Sequence, residues 1–106
     1  MNPVAVGTLH HVELWVPDLH RACARWRWPL GQLGYRPFQD LATGRSWRLD
    51  DTYSVLERTP DVAAGAHDRH RPGLNHLGFH AGGPEHYAAY LPNGDGYEVE
   101  PVADDA

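Results

Sequence analysis

The sequence has one cysteine, Cys23, and no lysine. A lone cysteine excludes an intrachain disulfide and suits a reducing compartment, so a cytoplasmic location is expected. Its place in a helical apolar pattern predicts a buried thiol, not a nucleophile. All nine basic residues are arginine, against 14 acidic ones, and the formal net charge is -5. That balance argues against nucleic acid as a partner, because phosphate binding wants a basic patch. No apolar run approaches the ~20 residues of a membrane span, so no membrane partner is expected. Met1 to Thr8 have neither the basic start nor the apolar stretch of a secretory leader. A length of 106 residues allows one domain with one modest core.

What the sequence does have is a repeat. Leu9-His10-His11-Val12-Glu13-Leu14-Trp15-Val16 resembles Leu74-Asn75-His76-Leu77-Gly78-Phe79-His80-Ala81. Both read Leu-x-His-apolar-x-apolar, and both put a histidine third in an alternating strand. Neighbouring strand side chains point to opposite faces. His11 therefore shares a face with Glu13 and Trp15, and His76 with Gly78 and His80. Two equivalent strands carrying one histidine each on equivalent faces are what a pseudo-symmetric metal site needs.

Between the repeats the pattern is that of a β-α-β-β-β unit. A strand over 9–16 ends at Pro17, and Asp18 is an N-cap for a helix. Leu19, Cys23, Trp26, Leu30 and Leu33 form its apolar stripe, which places Trp26 in the core. Pro29 is expected to kink that helix or end it early. The several arginines of Arg21 to Arg27 fall on its solvent side. Strands are expected at Tyr35 to Gln39, Ser46 to Leu49 and Thr52 to Arg58. Residues 59–73 read as an exposed linker. In the second half, Gly82-Gly83-Pro84 follows the repeat where a helix would start. A hairpin of His86 to Leu91 and Gly96 to Val102 then closes the chain.

A β-α-β-β-β unit opening on apolar-x-His-apolar, repeated, resembles the vicinal oxygen chelate superfamily of glyoxalases, bleomycin resistance proteins and extradiol dioxygenases. The residues that carry the likeness are Leu9 to Leu19, then Pro72 to Phe79, then Asp95-Gly96-Tyr97-Glu98-Val99-Glu100. The resemblance implies an α+β fold. A βαβββ module (about 9–58) and a reduced βββ module (about 74–102) would form one curved, partly open mixed sheet in a single domain, 1–106. It implies a divalent metal ion (Fe, Mn, Zn, Ni or Co) held by His11, His76 and Glu100. Glu57 is a candidate fourth ligand only if a one-residue slip brings it opposite Glu100. Without that slip, Leu56 or Val55 falls there. Module two lacks roughly a helix and a strand, and an internal deletion is the simplest account. The missing helix would leave Leu77, Phe79, Tyr97 and Val99 uncovered, so a homodimer is expected.

Around that centre, Glu13 and His80 share faces with the ligands and are candidate catalytic residues, as base or as partners of the ligands. Trp15 and Tyr90 are candidate substrate contacts, and Tyr90 shares a face with His86. His10 points away by parity and is read as structural or exposed. His67 and His70 lie in a charged linker and are read as solvated. The activity implied is that of a metal-dependent lyase, isomerase or dioxygenase acting on a small oxygen-rich molecule. Two other readings stay open. One is a metal-free small-molecule binder of the antibiotic-resistance type, with Trp15, Trp47, Tyr53 and Tyr90 supplying the cleft. The other is an inactive shortened remnant. The plain alternative for His11 and His76 is that they are ordinary strand residues on a half-polar face.

Overall fold

In the computed structural model, which describes residues 5–82 and 95–103, the opening alternation becomes strand β1, His11–Trp15. Leu14 is buried and Val12 half-buried on one face, while His11, Glu13 and Trp15 are exposed on the other. Asp18 then opens helix α1, Leu19–Gln32, by accepting a hydrogen bond from the Arg21 N–H at 3.0 Å. That bond holds the Asp18 carboxyl below the usual carboxylate range. Cys23, Trp26 and Leu30 of the stripe are buried. The early end expected at Pro29 does not occur. Proline removes one hydrogen bond near the last turn, and burial of Pro29 with Leu30 offsets it. The end is closed instead by the N–H groups of Gly34, to Gly31 O at 3.0 Å, and Tyr35, to Leu30 O at 2.9 Å.

Three strands complete the first module: β2 (Arg36–Asp40), β3 (Gly44–Leu49) and β4 (Thr52–Glu57). The sheet runs β1-β4-β3-β2, with β1 parallel to β4 and the other pairs antiparallel. In module two, β5 (Leu77–Gly82) and β6 (Val99–Ala103) form a separate two-stranded sheet and are also parallel. β5 and β6 therefore stand as β1 and β4 do, and the sequence repeat is a structural one. The expected α+β architecture is present, among the described residues as a four-stranded mixed sheet with one helix and a small second sheet. The strand expected at His86 to Leu91 lies outside the described residues. β5 and β6 start later than their sequence patterns because the residues ahead are held elsewhere. The His67 N–H donates to Asp95 O at 2.8 Å, and the His67 ring bonds Leu74 O at 2.7 Å.

The core joins Leu14, Val16, Ala22, Trp26, Leu30, Trp47 and Leu56 of the first module to Tyr97 of the second. Leu77, Phe79 and Val99 pack against it. The apolar residues expected to stand uncovered are thus partly buried against module one; the segment in which a helix was not expected lies outside the described residues. Phe79 meets the Tyr35 ring edge-on at 5.9 Å. The Tyr97 hydroxyl, whose ionisation burial disfavours, donates to Trp15 O at 2.7 Å. Asp95, fully buried, pairs with Arg21 at 2.7 Å. Trp47, offered above as a cleft residue, is buried in this core. No helix among the described residues is long and apolar enough to cross a membrane.

Burial pushes the Cys23 thiol up from its ordinary range, against a smaller pull from Arg45 and Arg27. Thiolate is the reactive form, so Cys23 should react slowly with a disulfide reagent at neutral pH. The rate should rise to that of a free thiol in urea. A native rate equal to the unfolded one would contradict its place in the core.

Candidate functional site

His76 directly precedes β5, and Glu100 lies on β6, diagonally across from it in the parallel pair. His76 Nε2 stands 3.1 Å from Glu100 Oε2, and both side chains are about half exposed. The other ring nitrogen, Nδ1, is 2.9 Å from Asn75 Oδ1. The amide of Asn75 is oriented by its own Nδ2, which donates to Arg69 O at 3.0 Å. Its oxygen must then face His76, and an amide oxygen only accepts. An Nδ1–H tautomer would satisfy that oxygen and leave Nε2, beside Glu100 Oε2, as a donor atom for a cation; a ring that keeps its proton on Nε2 would instead donate it to Glu100.

The donor set fits a cation as far as it goes. A divalent ion would be held there by His76 Nε2 and Glu100 Oε2, an imidazole nitrogen and a carboxylate oxygen of the kind such ions take. The Asn75 contact is the kind of outer partner that fixes the tautomer of a metal-binding histidine. The third donor is elsewhere. His11 Nδ1 lies 2.9 Å from His10 Nδ1, and its ring stacks on Tyr53 at 5.0 Å. Among the described residues no group of three His, Cys, Asp or Glu converges. One chain thus brings two of the three expected ligands together and leaves His11 apart.

Register decides the fourth position. His11 is opposite Tyr53 on β4, and β5 pairs with β6 so that Gly78 is opposite Glu100. Superposing the repeats makes Val55 the counterpart of Glu100. Glu57 is opposite Trp15 and accepts a hydrogen bond from Thr43 Oγ1 at 2.6 Å. The slip that Glu57 needed is absent, and a buried valine takes the position.

The remaining candidates are scattered. Glu13 accepts a hydrogen bond from the Trp15 indole at 2.7 Å, and Trp15 stays partly exposed on that face. His80 lies on β5 opposite Val102. Tyr90 and His86 lie outside the described residues. His10 is exposed as expected, yet its ring touches both His11 and Tyr53, because it sits just ahead of the strand where parity no longer separates neighbours. His70 is solvated beside Asp68. His67 is not: its ring stacks on Tyr97 at 4.6 Å and ties the linker to module two.

Residues 10–104 match the sequence profile of the Glyoxalase/Bleomycin resistance protein/Dioxygenase superfamily. The chain belongs to that superfamily. The uncharacterized protein YqjT of Bacillus subtilis (strain 168) is 32% identical over 125 residues, covering 90% of this chain and 98% of YqjT. That span exceeds the 106 residues present here, so YqjT carries residues without counterpart in this chain. A Bacillus halodurans structure provisionally named a glyoxalase is 30% identical with a TM-score of 0.84, over 93% of this chain and 97% of that one. A glyoxalase/bleomycin resistance protein from Albidiferax ferrireducens T118 shares the fold at 19% identity, with a TM-score of 0.75 over 92% and 98% of the two chains.

Within this glyoxalase-type scaffold, sequence reasoning missed Asn75. The signal was an amide next to a candidate ligand, the place from which it can orient the ring. It also missed Arg36, Arg48 and Phe38, which gather around Tyr53 on the His11 face.

Proposed function

We propose that this chain is a metal-dependent enzyme of the glyoxalase or dioxygenase type, acting on a small oxygen-rich molecule. The observation that carries the reading is the approach of His76 Nε2 to Glu100 Oε2, 3.1 Å apart, with Asn75 Oδ1 2.9 Å from the other ring nitrogen. Imidazole and carboxylate suit Fe(II), Mn(II), Zn(II), Ni(II) or Co(II), and three protein ligands leave positions open for substrate. When bound, such an ion polarises a carbonyl or enolate oxygen, or activates oxygen if it is iron.

His11 is the third ligand in this reading. Because it stands apart from His76 within the chain, a second copy supplies it in a symmetric homodimer. β1 carries a partner strand on one side only among the described residues, and so do β5 and β6. Such open edges invite pairing between chains. Glu13 shares the face of His11, so the copy that provides one provides the other. There, steadied by the Trp15 indole, Glu13 takes a proton from substrate carbon or oxygen as general base. His80 serves on the module-two side, and Trp15 with Tyr90 contacts substrate. The lone buried thiol supports a reducing, cytoplasmic setting for this activity.

Sedimentation equilibrium at micromolar concentration with Mn(II) present should give a dimer. A monomer of 11.9 kDa that binds the metal fully would contradict the shared site. The second reading, a metal-free binder, draws on Val55 standing at the fourth ligand position and on the aromatic face of β1 and β4. Metal content separates the two.

A further inference from the structure

We infer that Arg36, Arg48, Phe38 and Tyr53 form a binding site for a small aromatic carboxylate. The inference deepens the proposed function only in that it places the substrate on the His11 face. Its basis is the register of the four-stranded sheet. Arg36 is opposite Arg48, Arg48 opposite Tyr53, and Tyr53 opposite His11. Residues directly opposite share a face. All four strands therefore give one residue each to a single line across the sheet.

Two arginines directly opposite repel each other. In a chain with net charge -5, acids are plentiful. Arg21, Arg45 and Arg69 each have an acid partner. Arg36 and Arg48 have none among the described residues, as is true of Arg25, Arg27, Arg58 and Arg71; what sets the two apart is that they stand opposite each other in the sheet. Arg48 Nε donates to Asp50 O at 2.7 Å, and its guanidinium lies 5.1 Å over the Phe38 ring. Asp51 borders the same hollow as Arg48 without reaching ion-pair distance. An uncompensated cation pair is a place for an anion.

The neighbours say which anion. Phe38, exposed, tilts against Tyr53 at 5.3 Å, and Tyr53 stacks on His11. Paired guanidinium groups suit the planar carboxylate fork, and the rings suit an aromatic plane. Strands about 4.8 Å apart put β1 roughly 10 Å from β3. That span takes one benzene ring with its carboxylate at the arginines and its far edge toward His11.

The test titrates benzoate, acetate and benzyl alcohol into the full chain freed of metal, read by calorimetry. Benzoate should saturate the protein, with benzyl alcohol at least about tenfold weaker. Arg36→Gln and Arg48→Gln should each weaken benzoate about tenfold. Phe38→Ala should weaken benzoate more than acetate. Circular dichroism and Ni(II) titration should be unchanged in both arginine variants. Absence of benzoate binding, equal affinity for benzoate and benzyl alcohol, or indifference to both arginine substitutions would overturn the inference. So would a double variant that shifts self-association and leaves benzoate binding alone, since the cation pair would then serve an acidic second copy. Benzoate binding without any metal binding would sink the proposed enzyme and leave this site standing. The reverse would sink this site alone.

Discussion

Gly96→Ala should cost about 3–5 kcal/mol of stability, a large part of the margin of a small domain. Gly96 sits at φ +89°, in the left-handed region that side chains disfavour. A Cβ there would fall on the His67 carbonyl oxygen, and would lie 2.8 Å from its carbonyl carbon and 3.0 Å from its nitrogen. Those are backbone atoms and cannot swing away. His67 is also fixed on both sides: its N–H holds Asp95 O, and its ring holds Leu74 O and Tyr97. Moving it would release the turn that sets Asp95 against Arg21 and Glu100 against His76. Gly65→Ala is the control, because Gly65 has φ +97° with nothing within 4 Å. Urea unfolding of both variants separates backbone strain from the clash. Equal losses would mean that the linker does not clamp module two.

His76→Ala should abolish divalent metal binding, since the two remaining ligands rarely hold a labile ion. Glu100→Ala should do the same. Asn75→Ala keeps all three ligands but frees the imidazole tautomer, and should weaken binding about 10–100-fold. His10→Ala should leave binding nearly unchanged, although its ring touches His11. Calorimetric titration with Mn(II), Ni(II) and Zn(II) reads all four. Equal losses in His76→Ala and His10→Ala would show that the face assignment is wrong.

Much of the first module was legible because its signals are local. The alternation from His11 to Trp15, the Asp18 cap and the stripe of Cys23, Trp26 and Leu30 each act within a few residues. His76 was legible through the repeat, and its approach to Glu100 through the family resemblance. What was not legible depends on register and long-range packing. Glu57 and Val55 differ by a two-residue shift in the β1–β4 pairing, which no local pattern sets. The line of Arg36, Arg48, Tyr53 and His11 spans the sheet, and a β2 bulge between Pro37 and Asp40 intervenes. Leu77 and Phe79 looked uncovered because the sequence cannot say that module one turns its own core toward them. His67 looked solvated because its partners, Leu74 and Tyr97, come from other segments.

Whether a cation or a ring proton lies between His76 and Glu100 is decided most directly by elemental analysis of the full chain purified without chelator. A His76→Ala sample prepared in parallel is the reference. The proposed site predicts about one equivalent of a first-row divalent metal per chain, absent from the variant. Metal content at the background level in the wild type, or equal in both samples, would mean that the pair is a contact between side chains alone and that the metal reading is wrong.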